Sequence, residues 1–147
     1  MRTDVLLRVR YAECDPQNVV FNARYADYVD VASTEYLRKL CGGYDQLESA
    51  GFATQVVSLT IDWHSSARFD DVLMLAIECE HVGTSSFTLT CSIMQYSAQI
   101  PVATARVVYV FMEASLSAKC AIPDHVRSEL LSSKAYGPIN LAGVADK

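Results

Sequence analysis

Residues 11–37 contain the residue types that could carry out acyl-transfer chemistry. Asp15 lies in a run of turn formers, residues 14–18, seven residues before Asn22, which is able to cap a helix. The first turn of a helix has backbone N–H groups without intrahelical partners, and these can donate to a developing oxyanion. A carboxylate beside such a donor suffices for acyl transfer, with Asp15 as the nucleophile or as the general base that activates water. On spacing alone, a purely structural Asp15-Pro16 turn is the commoner interpretation.

The elements that must position these groups follow from the periodicity of the apolar residues. Residues 4–13 are typical of a first strand. A helix is predicted from Asn22 to about Leu40, ended by Gly42-Gly43. Its apolar face is formed by residues spaced three and four apart: Tyr25, Tyr28, Val29, Ala32, Tyr36 and Leu40. Four strand-like segments follow, at residues 57–63, 71–82, 87–93 and 102–112.

This order of elements predicts an α+β domain in which an antiparallel sheet of about five strands wraps around one long central helix. A short helix is predicted at residues 124–131. We therefore expect residues 1–133 to form a single domain and residues 134–147 to form a loosely packed C-terminal tail. The signature sequences of dinucleotide-binding, phosphoryl-transfer, α/β-hydrolase and zincin sites do not occur.

The composition narrows the class of protein further. A chain of 147 residues with 51% hydrophobic residues fits one globular domain, and its net charge of −5 argues against nucleic-acid binding. No apolar run approaches the ~20 residues of a membrane helix, and the N-terminus lacks the pattern of a secretory signal. The five cysteines have no CxxC spacing, which argues against a metal site. We expect a reduced, cytoplasmic protein.

The segment from Asp15 to Tyr25, DPQNVVFNARY, resembles the active-site signature of hotdog-fold acyl-CoA thioesterases of the 4-hydroxybenzoyl-CoA thioesterase class. The resemblance continues through residues 30–33 and 67–73 and covers residues 5–131. It implies the hotdog fold and hydrolysis of an acyl-CoA, for instance an aryl-CoA such as hydroxybenzoyl-CoA. It also implies a homodimer, or a tetramer of two dimers, with active sites at the dimer interface. No cofactor is implied, since coenzyme A is part of the substrate.

The resemblance also implies roles for particular residues. Asp15 matches the catalytic carboxylate, and the backbone N–H of Asn22 matches the donor that polarises the thioester carbonyl. Asp30 matches an acidic helix residue near the acyl pocket that could bond to a phenolic hydroxyl. The side chains expected to line the acyl slot are Val19, Phe21, Tyr25 and Trp63.

The chain departs from the family pattern at several positions. Asn18 replaces the usual Gly, and we expect it to preserve the turn because Asn tolerates the left-handed conformation. No histidine stands beside Phe21, and His64, at a strand end, is interpreted as structural. The hairpin loop that is basic in one branch of the family lacks charge here, so the groups expected to bind coenzyme A are Thr84, Ser85, Ser86 and Arg68, with Arg106 as an alternative to Arg68.

Three alternatives stay open at this stage. The acyl group could be of medium or long chain, or the thioester could belong to an acyl carrier protein, for which nucleotide phosphates matter less. The chain could also be a non-catalytic module that binds acyl thioesters, because a fold does not determine function. A hotdog dehydratase or isomerase ranks below these, since its expected histidine is not evident.

Overall fold

The computed structural model describes residues 1–145, and its elements follow the predicted order. A short 3-10 turn at Tyr11–Glu13 follows the first strand. The helices are α1 (Arg24–Cys41), α2 (Tyr44–Ser49) and α3 (Asp124–Leu130). The strands are β1 (Arg2–Arg8), β2 (Phe52–Trp63), β3 (Val72–Val82), β4 (Ser86–Gln95), β5 (Pro101–Glu113) and β6 (Ala135–Asn140).

The strands form one sheet of six in the order β2-β5-β4-β3-β1-β6. Consecutive strands joined by short turns pair antiparallel, as β3 does with β4 and β4 with β5. At one end of the sheet, Trp63 of β2 pairs with Ala103 of β5, which pairs with Ile93 of β4. The predicted α+β architecture with a largely antiparallel sheet is therefore confirmed, with one strand more than expected.

The additional strand is β6, and it corrects the expectation of a loosely packed tail. β6 lies parallel to β1, with Arg2 opposite Ala135, and its residues Tyr136 and Ile139 pack against the core. The segment shows no regular alternation because it contains Gly137 and Pro138. It pairs because β1 would otherwise leave a row of unpaired backbone groups at the edge of the sheet. Residues 146–147 of the predicted tail lie outside the described residues.

Helix α1 buries the predicted apolar face, including Tyr25, Tyr28 and Tyr36. It ends at Gly42, whose φ of 82° provides the left-handed C-cap that terminates the helix. The predicted cap at Asn22 is wrong, because α1 begins at Arg24 and no side chain caps it. A tight backbone turn provides the first hydrogen bonds instead. Among residues 1–145, no helix is long and apolar enough to cross a membrane.

The edge strand β2 carries the predicted alternation but buries little of it within the chain. Val57 is 60% exposed and Trp63 is 53% exposed, and Val56 and Leu59 are also exposed. The core lies instead between α1 and the central strands, which bear fully buried side chains such as Leu75 and Leu89. An exposed apolar edge strand is a surface on which another chain can pair.

We expect Gly137→Ala to destabilise the protein, because a Cβ there would collide with the backbone oxygen of Asp4 in β1. The φ of 105° at Gly137 adds backbone strain. Gly143→Ala is the matched control, since Gly143 also has a positive φ but no atom near its missing Cβ. Urea unfolding should give a free energy of unfolding roughly 2 kcal/mol lower for Gly137→Ala than for the control. Equal losses would contradict the pairing of β6 with β1.

Candidate active site

Asp15 lies in a tight loop that turns the chain back on itself between the first strand and α1. Cys14 and Val20 face each other as an isolated antiparallel pair. The N–H of Asp15 donates to the carbonyl of Val19, and the N–H of Asn18 donates to the carbonyl of Asp15, both at 2.9 Å. Asn18 has a φ of 59°, which confirms that it occupies the left-handed position where the family has Gly. The loop is thus closed by its own backbone.

The two carboxylate oxygens of Asp15 have different surroundings. Oδ1 accepts a hydrogen bond of 2.8 Å from the N–H of Gln17, two residues along the chain. Among residues 1–145, no group donates to Oδ2. The Gln17 amide therefore restrains the side chain of Asp15 and leaves Oδ2 free to accept a proton or to attack a carbonyl carbon.

A pair of unsatisfied backbone amides precedes α1. The N–H of Phe21 donates to the carbonyl of Glu13, and the N–H of Arg24 donates to the carbonyl of Phe21, both at 2.9 Å. The N–H groups of Asn22 and Ala23, which lie between them, have no acceptor within the part of the chain that the structure describes. The Asn22 amide is thus available for the role predicted for it. The neighbouring Ala23 amide was not anticipated from the sequence.

A cleft of about 410 Å³ lies where the Asp15 loop, the start of α1 and the end of β2 meet. It brings together six of the residues singled out in the sequence: Asp15, Val19, Phe21, Asn22, Tyr25 and Trp63. The Asp15 loop supplies the carboxylate, the entry to α1 supplies the amides, and the last residue of β2 supplies an aromatic wall. This arrangement places a carboxylate, hydrogen-bond donors and an apolar surface around one cleft.

Aromatic side chains form the apolar wall of the cleft. The rings of Tyr25 and Trp63 meet edge to face, with centroids 6.4 Å apart. Tyr25 is buried, and burial raises the pKa of its phenol, so the side chain stays neutral. Phe21 and Trp63 are largely exposed. The cleft can therefore accept a flat apolar group against these rings.

Five further residues, which the sequence analysis does not assign to the site, also line the cleft: Gln17, Val20, His64, Ser65 and Ser66. The Nε2 atom of His64, which the sequence analysis interpreted as structural, lies 2.8 Å from Oγ1 of Thr104 on β5. The N–H groups of His64 and Ser65 both donate to the carbonyl of Val102, which holds this segment against β5. Their position directly after Trp63 in the sequence is the signal that could have identified them.

Asp30 does not line the cleft. It is exposed on α1, about 7.5 Å along the helix axis from Tyr25. It lies close enough to Tyr109 that, after burial, its charge helps to raise the pKa of that phenol to about 12. Asp30 therefore belongs to the side of α1 that faces the middle of β5, where Tyr109 pairs with Val56 of β2.

The turn that carries Thr84, Ser85 and Ser86 is not brought to the cleft within one chain. It lies at the far end of β4, about 23 Å from Ile93 at the cleft end of that strand. Arg127 of α3 donates to the carbonyls of Gly83 and Thr84 at this turn. Within one chain, these three residues therefore lie at the end of β4 opposite the cleft.

Arg24 adjoins the cleft residue Tyr25 in the sequence but is paired with Asp27 at 3.1 Å, whereas Arg68 comes two residues after the cleft residue Ser66. The preceding residue, Ala67, accepts a 2.9 Å hydrogen bond from the N–H of Val20, which ties this segment to the Asp15 loop. Among the lysines and arginines of residues 1–145, the side chains of Arg68 and Lys119 make no ion pair, hydrogen bond or cation–π contact. Arg106, the alternative cation, is paired with Glu80 at 2.6 Å.

Known families and proteins include sequences similar to this chain. Residues 17–102 match the thioesterase superfamily. The chain is 34% identical over 107 residues to the acyl-CoA thioesterase YbgC of Haemophilus influenzae, a match that spans 71% of this chain and 77% of that protein. It is 30% identical over 84 residues to the acyl-CoA thioester hydrolase YbgC of Escherichia coli O157:H7, over 57% of this chain and 63% of that protein.

Solved structures show the same fold at lower sequence identity. A 1,4-dihydroxy-2-naphthoyl-CoA thioesterase from Synechocystis superposes with a TM-score of 0.81 at 19% identity, over 90% of this chain and 98% of that one. A gentisyl-coenzyme A thioesterase gives 0.77 at 20% identity, over 87% and 99%. Since the family match covers more than half of the sequence and a relative 34% identical covers 71% of it, this chain belongs to the thioesterase superfamily and is a hotdog-fold thioester hydrolase.

Proposed function

We propose that the protein hydrolyses acyl-CoA thioesters to a free acid and coenzyme A, with Asp15 as the catalytic carboxylate. The observation that carries the proposal is the cleft itself, where Oδ2 of Asp15 and the N–H of Asn22 both lack partners among the described residues. Both YbgC relatives described above are named for acyl-CoA thioester hydrolysis.

In the general-base route, Asp15 takes a proton from water as the water oxygen bonds to the thioester carbonyl carbon. The carbonyl oxygen becomes an oxyanion, which the Asn22 amide stabilises. Collapse of this intermediate restores the carbonyl and breaks the C–S bond. The thiolate leaves readily because a thiol pKa is about 8.5, and it can take up the proton held by Asp15. No metal or redox cofactor takes part.

In the nucleophilic route, Asp15 itself attacks the carbonyl carbon, and the thiolate leaves to give a mixed anhydride. Water then hydrolyses the anhydride and releases the acid. Single turnover in H₂¹⁸O tests for the nucleophilic route. Label found in the Asp15 carboxylate by mass spectrometry identifies that route, with water attacking the anhydride at the Asp15 carbonyl. Label found only in the product acid means that water attacks the acyl carbonyl, either of the thioester or of the anhydride.

Within this function we propose an aryl-CoA as the substrate. The edge-to-face pair of Tyr25 and Trp63 suits an aromatic acyl group. Asp30, the predicted acceptor for a phenolic hydroxyl, does not line the cleft of its own chain, and its role stays a prediction. Two structural neighbours act on hydroxylated aryl-CoA substrates, as their names state. Medium- and long-chain acyl-CoAs are the competing substrates.

We expect Asp15→Asn to lower turnover at least ~100-fold while the protein stays folded, because the amide can neither take a proton nor attack. The measurement is release of free thiol from aryl-, medium-chain and long-chain acyl-CoAs, with circular dichroism to verify folding. Asp45→Asn is the matched control, since Asp45 is exposed on α2 and does not line the cleft.

Full activity in Asp15→Asn would overturn the assignment of Asp15. The best substrate of the panel decides between an aryl and an aliphatic acyl group. Tight binding of an acyl-CoA without any turnover by the wild type would instead identify a non-catalytic binding module.

We propose that Arg68 binds a phosphate of coenzyme A, because its guanidinium makes no ion pair, hydrogen bond or cation–π contact with the described residues and Arg68 comes two residues after Ser66 of the cleft. Arg68→Ala should raise KM for an acyl-CoA roughly 5-fold, the effect of losing one exposed ionic contact. It should leave the KM for the acyl-pantetheine thioester of the same acid unchanged. Lys119→Ala is the control, because Lys119 is the other cation of residues 1–145 without an ion pair, hydrogen bond or cation–π contact, and it lies near the opposite end of β5.

Equal kcat/KM for coenzyme A and pantetheine thioesters in the wild type would discard a CoA-specific site. That outcome would favour acyl carrier protein thioesters, in which the pantetheine arm is present without the nucleotide. Thr84, Ser85 and Ser86 remain predicted contacts of coenzyme A. Since they lie far from Asp15 of the same chain, they would have to act on the cleft of a partner subunit.

We further propose that two chains pair along β2. This strand is an edge of the sheet, is twelve residues long and leaves its apolar side chains exposed, including Val57 and Leu59. A second copy would pair with the free backbone edge and cover these side chains. The cleft opens at the end of β2, so its outer wall would then be completed by the partner. The five free cysteines support a reducing, cytoplasmic setting for this assembly.

Sedimentation velocity should give the wild type a mass of two chains, or of four if dimers associate, relative to the 16.2 kDa chain. Val57→Asp places a charge on the proposed interface, so we expect a monomer that has lost most of its turnover. Leu131→Asp is the control, because Leu131 is equally exposed but follows α3, far from β2. A wild-type monomer with full activity would rule out the dimer as a requirement.

A further inference from the structure

Glu13 is an almost fully buried carboxylate that the proposed reaction does not use. It is 5% exposed, and both of its oxygens are occupied. The hydroxyl of Tyr28 donates to Oε2 at 2.7 Å, and the backbone N–H of Arg10 donates to the same oxygen at 2.8 Å. The Arg10 guanidinium donates to Oε1 at 2.7 Å through Nε and forms an ion pair at 2.6 Å through Nη2.

These contacts join three segments at one residue. Tyr28 lies on α1, five residues after Ala23 and six after Asn22, the residues that carry the free amides. Glu13 stands two residues before Asp15, at the base of its loop. Its own backbone carbonyl accepts the N–H of Phe21, the residue that precedes the Asn22 amide. The Glu13 side chain therefore ties the Asp15 loop to α1. The Glu13 backbone carbonyl ties residues 21–23, which carry the free amides, to the same loop.

The charges around Glu13 keep it ionised in this buried position. Burial raises the pKa of Glu13, but the hydrogen bonds from the Arg10 backbone, Tyr28 and the Arg10 guanidinium outweigh burial and hold the pKa below its usual value of about 4.3. Burial, together with Glu13, raises the pKa of Tyr28, so the Tyr28 hydroxyl remains a donor. The pair is thus a charge-assisted hydrogen bond that stays intact at neutral pH.

We infer that Glu13 is a positioning residue for the hydrolysis, holding the Asp15 carboxylate and the Asn22 amide at their working separation through Tyr28 and Phe21. This inference rests on the proposed function. A displacement of the reacting groups by as little as 1 Å can lower the rate about 10²-fold. A contact that holds these groups in place therefore matters for catalysis. Glu13 touches neither the cleft nor the reacting atoms, so its effect must pass through the loop.

The test uses Glu13→Gln and Tyr28→Phe in the otherwise unchanged protein. We expect each variant to lower kcat roughly 10- to 100-fold and to change KM less than about 2-fold, because the acyl slot is left in place. Glu129→Gln is the matched control. Glu129 also accepts hydrogen bonds from a tyrosine, Tyr136, and from a cation, Lys134, but it lies on α3 away from the cleft.

A double-mutant cycle separates positioning from a general loss of folding. In the Asp15→Asn background, Glu13→Gln should change the residual rate by less than about 3-fold, since the separation of the Asp15 carboxylate and the Asn22 amide no longer affects the rate once the carboxylate is gone. A variant that merely reduces the folded fraction would lower both rates by the same factor. Circular dichroism at the assay temperature measures that fraction directly. If Glu13→Gln does not fold, Tyr28→Phe carries the same test, because it removes one hydroxyl and leaves Arg10 on the carboxylate.

Three outcomes are decisive. A wild type without thioesterase activity on any thioester would remove the proposed function and this inference with it. An active wild type whose Glu13→Gln and Tyr28→Phe variants match Glu129→Gln would overturn the inference alone. Equal effects of Glu13→Gln in the wild-type and Asp15→Asn backgrounds would also overturn it.

Discussion

The hydrogen bond from Tyr28 to Glu13 connects the first strand and its loop with helix α1. A buried carboxylate is costly unless it is paired and hydrogen-bonded, and here three donor groups offset that cost. Because the bond fixes the base of the Asp15 loop relative to the helix, the position of the cleft depends on it. The left-handed turn at Asn18 closes the loop tightly and so determines the position of Asp15 relative to α1.

The uncovered edge strand of the sheet, β2, is a second feature on which the cleft depends. Helix α1 covers the central strands and leaves β2 with little cover within the chain. The cleft lies at the end of this uncovered strand, between Trp63 and the entry to α1. A substrate bound there would rest against one chain only. The exposed apolar edge and the open cleft are the two features that the proposed dimer would cover.

Much of the fold could be predicted because its signals are local. The spacing of Tyr25, Tyr28 and Tyr36 marks the buried face of α1, and Gly42 marks its end. The start of α1 and the strand β6 could not be predicted correctly, because both depend on contacts with other parts of the backbone. The residue type of Asn22 predicts a helix cap, but α1 begins at Arg24, and a backbone turn at residues 21–26 makes its first hydrogen bonds while the Asn22 and Ala23 amides stay without an acceptor among the described residues. β6 has no local strand pattern and forms because β1 offers it a partner.

The sequence by itself determined which groups could do the chemistry. Asp15, the amide before the helix and the aromatic residues around them lie within eleven residues, and a turn followed by a helix brings them close without help from the rest of the chain. Only the tertiary structure decided what completes the site. Trp63, His64 and the two serines that follow come from a strand end some forty residues away, and Thr84–Ser86 is carried to the far end of the sheet. Strand pairing and helix packing set these distances, and the local pattern of residues predicts neither of them.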